Sequence, residues 1–255
     1  MSKKVRYDDE QAYLNEADAI INFIQQCIPK YEWNDKDILD FGCGSGAATL
    51  RMSQKLMHSK ITGVDVQNCQ LKFKKFIEDY EEIEIIPKNL KLVQISPDET
   101  LGKNVYDLVY SWSVAEHINQ KIFDCVFKGI YDCIKPRGLF FLQTTPLYYS
   151  AYGHHLVSAN IGPYEHLILQ DNILFKKLEE NCQSTDYLNQ LTREYRSLNK
   201  ITFPEIKNRF KSAGFNILHE YTTNCEANIP DELLYIYNEE VLQIEQIVLL
   251  GQKLG

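Results

Sequence analysis

No unbroken apolar run in the 255 residues approaches the roughly eighteen needed to cross a bilayer, so no membrane span is expected. The start, Met1-Ser-Lys-Lys-Val-Arg6, runs into Tyr7-Asp-Asp-Glu10 instead of an apolar stretch, which argues against a secretory signal. Cys-x-x-Cys pairs are missing too. The seven cysteines are odd in number and scattered, which excludes a disulfide frame or zinc ribbon and fits reduced thiols in the cytoplasm. Positive charge is in short supply: 27 Lys and Arg against 35 Asp and Glu leave a net charge of −8. Phosphate-backbone binders rely on a basic surface, so neither nucleic acid nor membrane is an expected partner. Lys72, Lys74 and Lys75 do not share one helix face and read as solvated surface. Repeats and low-complexity tracts are absent. With 44% hydrophobic and 24% charged residues, the chain reads as one globular domain carrying an insertion.

What is present begins at Ile38-Leu-Asp-Phe-Gly-Cys-Gly-Ser-Gly46. A short apolar run ends in a carboxylate, three glycines follow at alternate positions, and Ala47-Ala-Thr49 opens a helical pattern. A strand, a glycine turn and a helix N-terminus let backbone amides approach a ligand, because no Cβ intervenes. Gly42-x-Gly44-x-x-Ala47 fits the loose dinucleotide fingerprint, which serves a pyrophosphate. Asp40 opposes that reading, since an acid there repels phosphates but suits a ligand bearing an ammonium and a sulfonium. S-adenosylmethionine carries both. Nineteen residues after Gly46, Ile61-Thr-Gly-Val-Asp65 ends a second strand in an acid placed to accept ribose hydroxyls.

These segments resemble the class I S-adenosylmethionine-dependent methyltransferases over roughly residues 36 to 145, and more loosely from 203 onward. Asp40 to Gly46 is similar to the first motif, Val64-Asp65-Val66 to the second, and Tyr106 to His117 to the fourth-strand segment. Ile134-Lys-Pro-Arg-Gly-Leu-Phe-Phe-Leu142 is similar to the turn and fifth strand, with Arg137 in place of a glycine. The resemblance implies a doubly wound α/β fold with a mostly parallel, seven-stranded Rossmann-like sheet. Its last strand would be antiparallel and insert between the fifth and sixth. Gly42, Cys43, Gly44, Ser45 and Gly46 would line the methionine moiety, with Asp40 near its ammonium. Asp65 would hold the ribose, Val66 and Gln67 the adenine flank, with further contacts from Ser96, Pro97, Asp98, Ser111 and Trp112.

Alternating strands and helices place a core at 36–145, preceded by a helical cap at 1–35 and completed by 201–255. A helix over 10–28 would cover the edge of the cofactor pocket. Residues 146–200 break the alternation and read as a helical lid over the acceptor. Helix 203–213 is expected to start at Thr202 and close at Gly214, with a further helix over 231–243.

Methyl transfer to a hydroxyl needs positioning and removal of a proton, so a base is sought on loops leaving strands four and five. His117, His154 and His155 are the candidates, and the adjacent pair after Gly153 is favoured because packing seldom demands two neighbouring histidines. Glu116, Tyr148, Tyr149, Tyr152, Tyr164, Glu165 and His166 are expected to contact the acceptor. The repeated Glu-His dipeptide leaves a metal site open, although no spacing fixes one. Aromatic walls with histidines, and a resemblance of Tyr-Gly-His-His to methyltransferases of surface-polysaccharide pathways, point to a small-molecule acceptor such as a sugar or activated precursor. N-methylation of an amine, a non-catalytic nucleotide-binding module and an NAD-dependent dehydrogenase remain alternatives.

Overall fold

The computed structural model describes residues 10–79, 85–97 and 99–254. After α1 (Glu10–Cys27) come β1 (Asp37–Phe41), α2 (Ala47–Lys55), β2 (Lys60–Asp65), α3 (Cys69–Asp79) and β3 (Leu90–Gln94). Then follow β4 (Tyr106–Trp112), α4 (Phe123–Cys133) and β5 (Ile134–Thr144). The insertion carries α5 (Glu165–Ile168), α6 (Asp171–Asn181) and α7 (Thr185–Ser197). The chain ends in α8 (Phe203–Ser212), β6 (Phe215–Asn224), α9 (Asp231–Leu234), α10 (Glu239–Gln243) and β7 (Ile244–Lys253).

Among the described residues the strands form one sheet in the order β3-β2-β1-β4-β5-β7-β6. The sheet is mostly parallel, with β7 antiparallel and seated between β5 and β6 as expected. The register sets Asp40 beside Gly63 on β2 and Tyr110 on β4, and Asp65 beside Gln94. Sequence order reverses between β1 and β4, and ligands of such sheets bind beyond the strands' carboxyl ends at that reversal.

The chain divides into two compact units. One comprises residues 1–111, 129–141 and 250–255; the other comprises 112–128 and 142–249. In the first, buried Ile38, Leu39, Ile61, Leu108 and Val109 make β1, β2 and β4 near-continuous apolar strands, as a sheet covered on both faces requires. Ile20 and Ile24 of α1 and Leu50 and Met52 of α2 are fully or almost fully buried. In the second unit the insertion has a core of its own. Leu174 and Leu178 of α6, Leu191 and Tyr195 of α7, and Leu156 and Ile161 belong to one apolar cluster.

At two elements the structure departs most from the sequence reading, and at a third it agrees. The helix expected over 231–243 is two short helices, because the Asn238 side chain accepts the Glu240 amide at 3.0 Å and starts α10 afresh. β5 begins at Ile134 instead of 138, and Arg137 within it takes a left-handed φ of 66°, so the bend expected there lies inside the strand. α8 starts at Thr202 as expected, with Glu205 accepting the Thr202 amide at 2.8 Å, and ends before Gly214 at φ 112°.

Candidate active site

In the first unit the loop after β1 is built by three left-handed glycines, Gly42, Gly44 and Gly46, at φ 87°, 54° and 77°. Two of them serve different needs. A Cβ on Gly46 would stand 2.9 Å from Leu92 Cδ1 and 3.1 Å from Phe73, and the φ of 77° strains any other residue, so the backbone conformation demands glycine here. A Cβ on Gly44 would meet no atom within 4 Å, so its bare backbone faces open space that a ligand can fill. The Gly42 and Cys43 amides both donate to Val64 O, at 2.8 and 3.0 Å, which fixes the loop on β2.

Asp65 holds the same loop from the tip of β2. Its carboxylate accepts the Gly44 amide at 2.9 Å and the Gln67 amide at 2.7 Å. A carboxylate offers about four acceptor positions, so two remain for a ribose diol. Val66 beside it is an exposed apolar side chain, and Gln94 donates to Val66 O at 3.1 Å, which fixes the adjoining turn. Ser96 and Pro97 are exposed, the Ser96 amide donates to Glu99 at 2.9 Å, and Asp98 lies outside the described residues. Ser111 is buried and Trp112 half-buried at the end of β4. The Cys43 thiol is pushed far up by burial and stays protonated, so it is a turn residue and not a nucleophile.

Asp40 sits deeper than expected, only 3% exposed, and accepts a 2.6 Å hydrogen bond from Thr49 of α2. Burial pushes its pKa up to about 7, against the lowering effect of the Thr49 and Tyr110 hydroxyls. Glu16 of α1 is likewise raised well above the carboxylate range, by burial and then by Asp40. Sequence reasoning missed Glu16, Thr49 and Tyr110. Their only trace was polarity inside apolar patterns. Two acids disfavoured in their charged form are relieved by a positive ligand and burdened further by a pyrophosphate. This glycine turn, open at Gly44 and acidic beneath, fits S-adenosylmethionine.

In the second unit a short 3-10 turn, Ala115–His117, follows β4. Glu116 is 2% exposed; Thr144 donates to its Oε2, while its Oε1 is buried with no hydrogen-bond partner among the described residues. Burial pushes its pKa up to about 7. His117 presents an exposed ring, its Nδ1 2.9 Å from Ser197 Oγ and its ring centroid 5.4 Å from that of His155. Partial burial, then His155, lowers its pKa, so the ring is neutral near pH 7.

The histidine pair after Gly153 splits in two. His154 is a packing residue, which corrects its placement as a candidate base. It is 0% exposed, Nδ1 accepts the Leu156 amide at 2.8 Å, and Nε2 donates to Gly162 O at 3.2 Å. His155 is half-buried at φ 59°, with Nε2 donating to Pro146 O at 3.2 Å, and burial lowers its pKa.

Several expected acceptor contacts are also internal. His166 Nε2 donates to Tyr148 O at 2.6 Å, and burial lowers its pKa to about 3. Both Glu165 oxygens accept Lys177 Nζ at 2.6 Å; burial raises its pKa, but this ion pair outweighs it and lowers the net value. Tyr164 is fully buried and donates to Leu242 O at 3.1 Å, and Tyr148 lies in the insertion's core. Tyr149 and Tyr152 remain half-buried. Among the described residues no group of His, Cys, Asp or Glu converges to hold a metal ion.

The buried groups set opposite pH trends in stability. Glu116 has a folded pKa above the ordinary carboxylate value, so its contribution is full in acid and lost as pH rises toward 7. His154 and His166, lowered to about 4 and about 3, contribute fully above the ordinary histidine value and lose that as pH falls. Glu116→Gln removes only the first trend. Its melting temperature relative to the parent chain is therefore expected to rise between about pH 5 and pH 8 in paired thermal melts. A constant difference across that range would mean Glu116 is ionised throughout.

A family profile described as a methyltransferase domain matches residues 12–220, most of the chain. The chain belongs to the S-adenosylmethionine-dependent methyltransferases. Among relatives of this methyltransferase, pavine N-methyltransferase of Thalictrum flavum subsp. glaucum is 27% identical over 138 residues, 54% of this chain and 36% of that protein. The sphingolipid C9-methyltransferase of Komagataella phaffii is 27% identical over 111 residues, 42% and 22% of the two chains. Each match thus spans well under half the relative's length. An S-adenosylmethionine-dependent methyltransferase structure from Mesorhizobium loti superposes with a TM-score of 0.55 at 16% identity, covering 94% of this chain and all of that one. No helix among the described residues is long and apolar enough to cross a membrane.

Proposed function

We propose that this chain transfers the methyl group of S-adenosylmethionine to a hydroxyl of a small polar acceptor, with His117 as the proton acceptor. One observation carries the base assignment: His117 is the histidine of the Glu-His turn with an exposed, neutral ring steadied through Nδ1. Gly42 to Gly46, Asp65 and the acids Asp40 and Glu16 would hold the cofactor, which supplies an activated methyl group on a positively charged sulfur. The chain's own residues orient the acceptor and take up its proton, worth ~10²–10⁴-fold in rate.

A sugar hydroxyl, in an activated precursor of surface polysaccharide, is the acceptor proposed. The resemblance of Tyr152-Gly-His-His155 and the half-buried Tyr149 and Tyr152 support it, whereas Tyr148 and Tyr164 no longer contribute a wall. A second reading, an amine acceptor, is favoured by the relatives named for N-methylation.

The test is incubation of the chain with methyl-labelled donor and a panel of nucleotide sugars, phosphorylated sugars and amines. Calorimetry with S-adenosylhomocysteine and with NAD accompanies it. Label in a sugar is the expected result. Label confined to amines selects the second reading, and heat from NAD alone overturns the cofactor assignment.

A further inference from the structure

The turn carrying His117 is held by a segment some eighty residues downstream, the end of α7 and the residues after it. Asn199 Nδ2 donates to Ala115 O at 2.6 Å and to Ile118 O at 2.8 Å, and the Asn199 amide donates to Glu116 O at 2.9 Å. Gln120 closes the arrangement by donating to Asn199 O. The backbone of residues 115–118 is thereby fixed, and the ring of His117 meets Ser197 Oγ at 2.9 Å.

Counting protons assigns that contact a direction. Ser197 Oγ also lies 2.7 Å from Glu194 O, a carbonyl in the last turn of α7. The last carbonyls of a helix lack intrahelical amides, and the Leu198 amide here goes to Tyr195 O. A carbonyl can only accept, so the single hydroxyl proton of Ser197 goes to Glu194 O. The hydroxyl oxygen must then accept from the imidazole, which requires Nδ1 to carry the proton. An unconstrained neutral imidazole prefers its proton on Nε2, so the contact works against the ring's own tendency. One ordinary hydrogen bond is enough to shift such a ratio several-fold.

We infer that Ser197 is a positioning residue that fixes His117 as the Nδ1-protonated tautomer, leaving the Nε2 lone pair as the atom that takes the acceptor's proton. The inference rests on His117 acting as the base. It assigns the end of α7 a task of its own: holding the base in its working tautomer, as the orienting partner of a catalytic histidine does elsewhere.

The test reads the tautomer directly, on the full chain labelled with ¹⁵N-histidine, without cofactor or acceptor. Long-range ¹H–¹⁵N correlations report which ring nitrogen of His117 carries the proton. The parent chain should show the Nδ1-protonated form, Ser197→Ala should invert the ratio toward Nε2, and Ser197→Thr should restore it. Unchanged melting temperature and S-adenosylhomocysteine affinity in Ser197→Ala show that fold and cofactor site are intact. Nε2 protonation in the parent, or no change in Ser197→Ala, overturns the inference. If the tautomer behaves as stated but His117→Asn keeps full turnover in the acceptor assay, the base assignment fails and the tautomer control stands, so the two failures are told apart.

Discussion

Gly153→Ala is expected to lower the melting temperature by roughly 6–12 °C, corresponding to about 3 kcal/mol in a chain of this size. A Cβ at this position would lie 2.2 Å from the carbonyl oxygens of both Leu147 and Tyr148 and 2.4 Å from the Tyr148 carbonyl carbon. These are backbone atoms, so no side chain can swing aside. Neither carbonyl is free to retreat. Leu147 O accepts the Ser150 amide at 2.9 Å and the Ser150 hydroxyl at 2.8 Å, while Tyr148 O accepts His166 Nε2 at 2.6 Å.

Moving Tyr148 O would leave His166 with both ring nitrogens unmatched, because its Nδ1 is already buried without a partner among the described residues. An unsatisfied buried polar group costs about 1–3 kcal/mol on top of the overpacking. Gly129→Ala supplies the contrast. It lies inside α4 with nothing within 4 Å of the added methyl, and is expected to stabilise by roughly 0.5–1 kcal/mol. Differential scanning calorimetry of both variants decides the matter, and a parent-like melt for Gly153→Ala would contradict the tight bend before His154.

How much of this was legible in the sequence follows from how local each feature is. The glycine turn, Asp40 and Asp65 lie within thirty residues of one another on two strands and the loop between, so spacing alone placed them. β1 and β2 were readable to the residue because covered parallel strands are apolar runs with sharp polar ends. The helix expected over 231–243 failed because an apolar periodicity ran through Asn238, whose side chain restarts the helix. Arg137 was read as a turn residue because proline and glycine flank it; the structure keeps the left-handed angle but within a strand.

Beyond the cofactor loop, legibility fell. His154 and His166 are satisfied by backbone partners, Leu156 N, Gly162 O and Tyr148 O, and backbone groups leave no mark in a sequence. The Ser197–His117 contact spans eighty residues and joins two residue types common on any surface. The burial of Tyr148 depended on the insertion having a core, which its polar helices concealed, and that of Tyr164 on a cluster with Leu233 of α9 and Leu242 of α10, far along the chain.

The histidines of the second unit can be sorted by which property each variant loses. His117→Asn is expected to reduce turnover by ~10²–10⁴-fold, a loss of about 3–5 kcal/mol of transition-state stabilisation, while leaving S-adenosylhomocysteine binding and the melting temperature near parent values. Asparagine is the informative replacement, because its amide can still donate toward Ser197 Oγ, which His117 Nδ1 meets at 2.9 Å, yet offers no basic nitrogen. Its exposed position means little packing is lost.

His154→Ala should behave in the opposite way. It removes a fully buried ring with two hydrogen bonds, so stability should fall by about 2–4 kcal/mol, and activity should follow the folded fraction. His155→Ala lies between, since one ring nitrogen is engaged by Pro146 O and the ring only borders His117; a loss below about tenfold is expected. Single-turnover rates measured at saturating methyl donor, with melts on the same preparations, separate the three. Should His155→Ala lose turnover by a hundredfold while His117→Asn stays active, the proton acceptor is His155, acting through Nδ1 because its Nε2 proton is committed to Pro146 O.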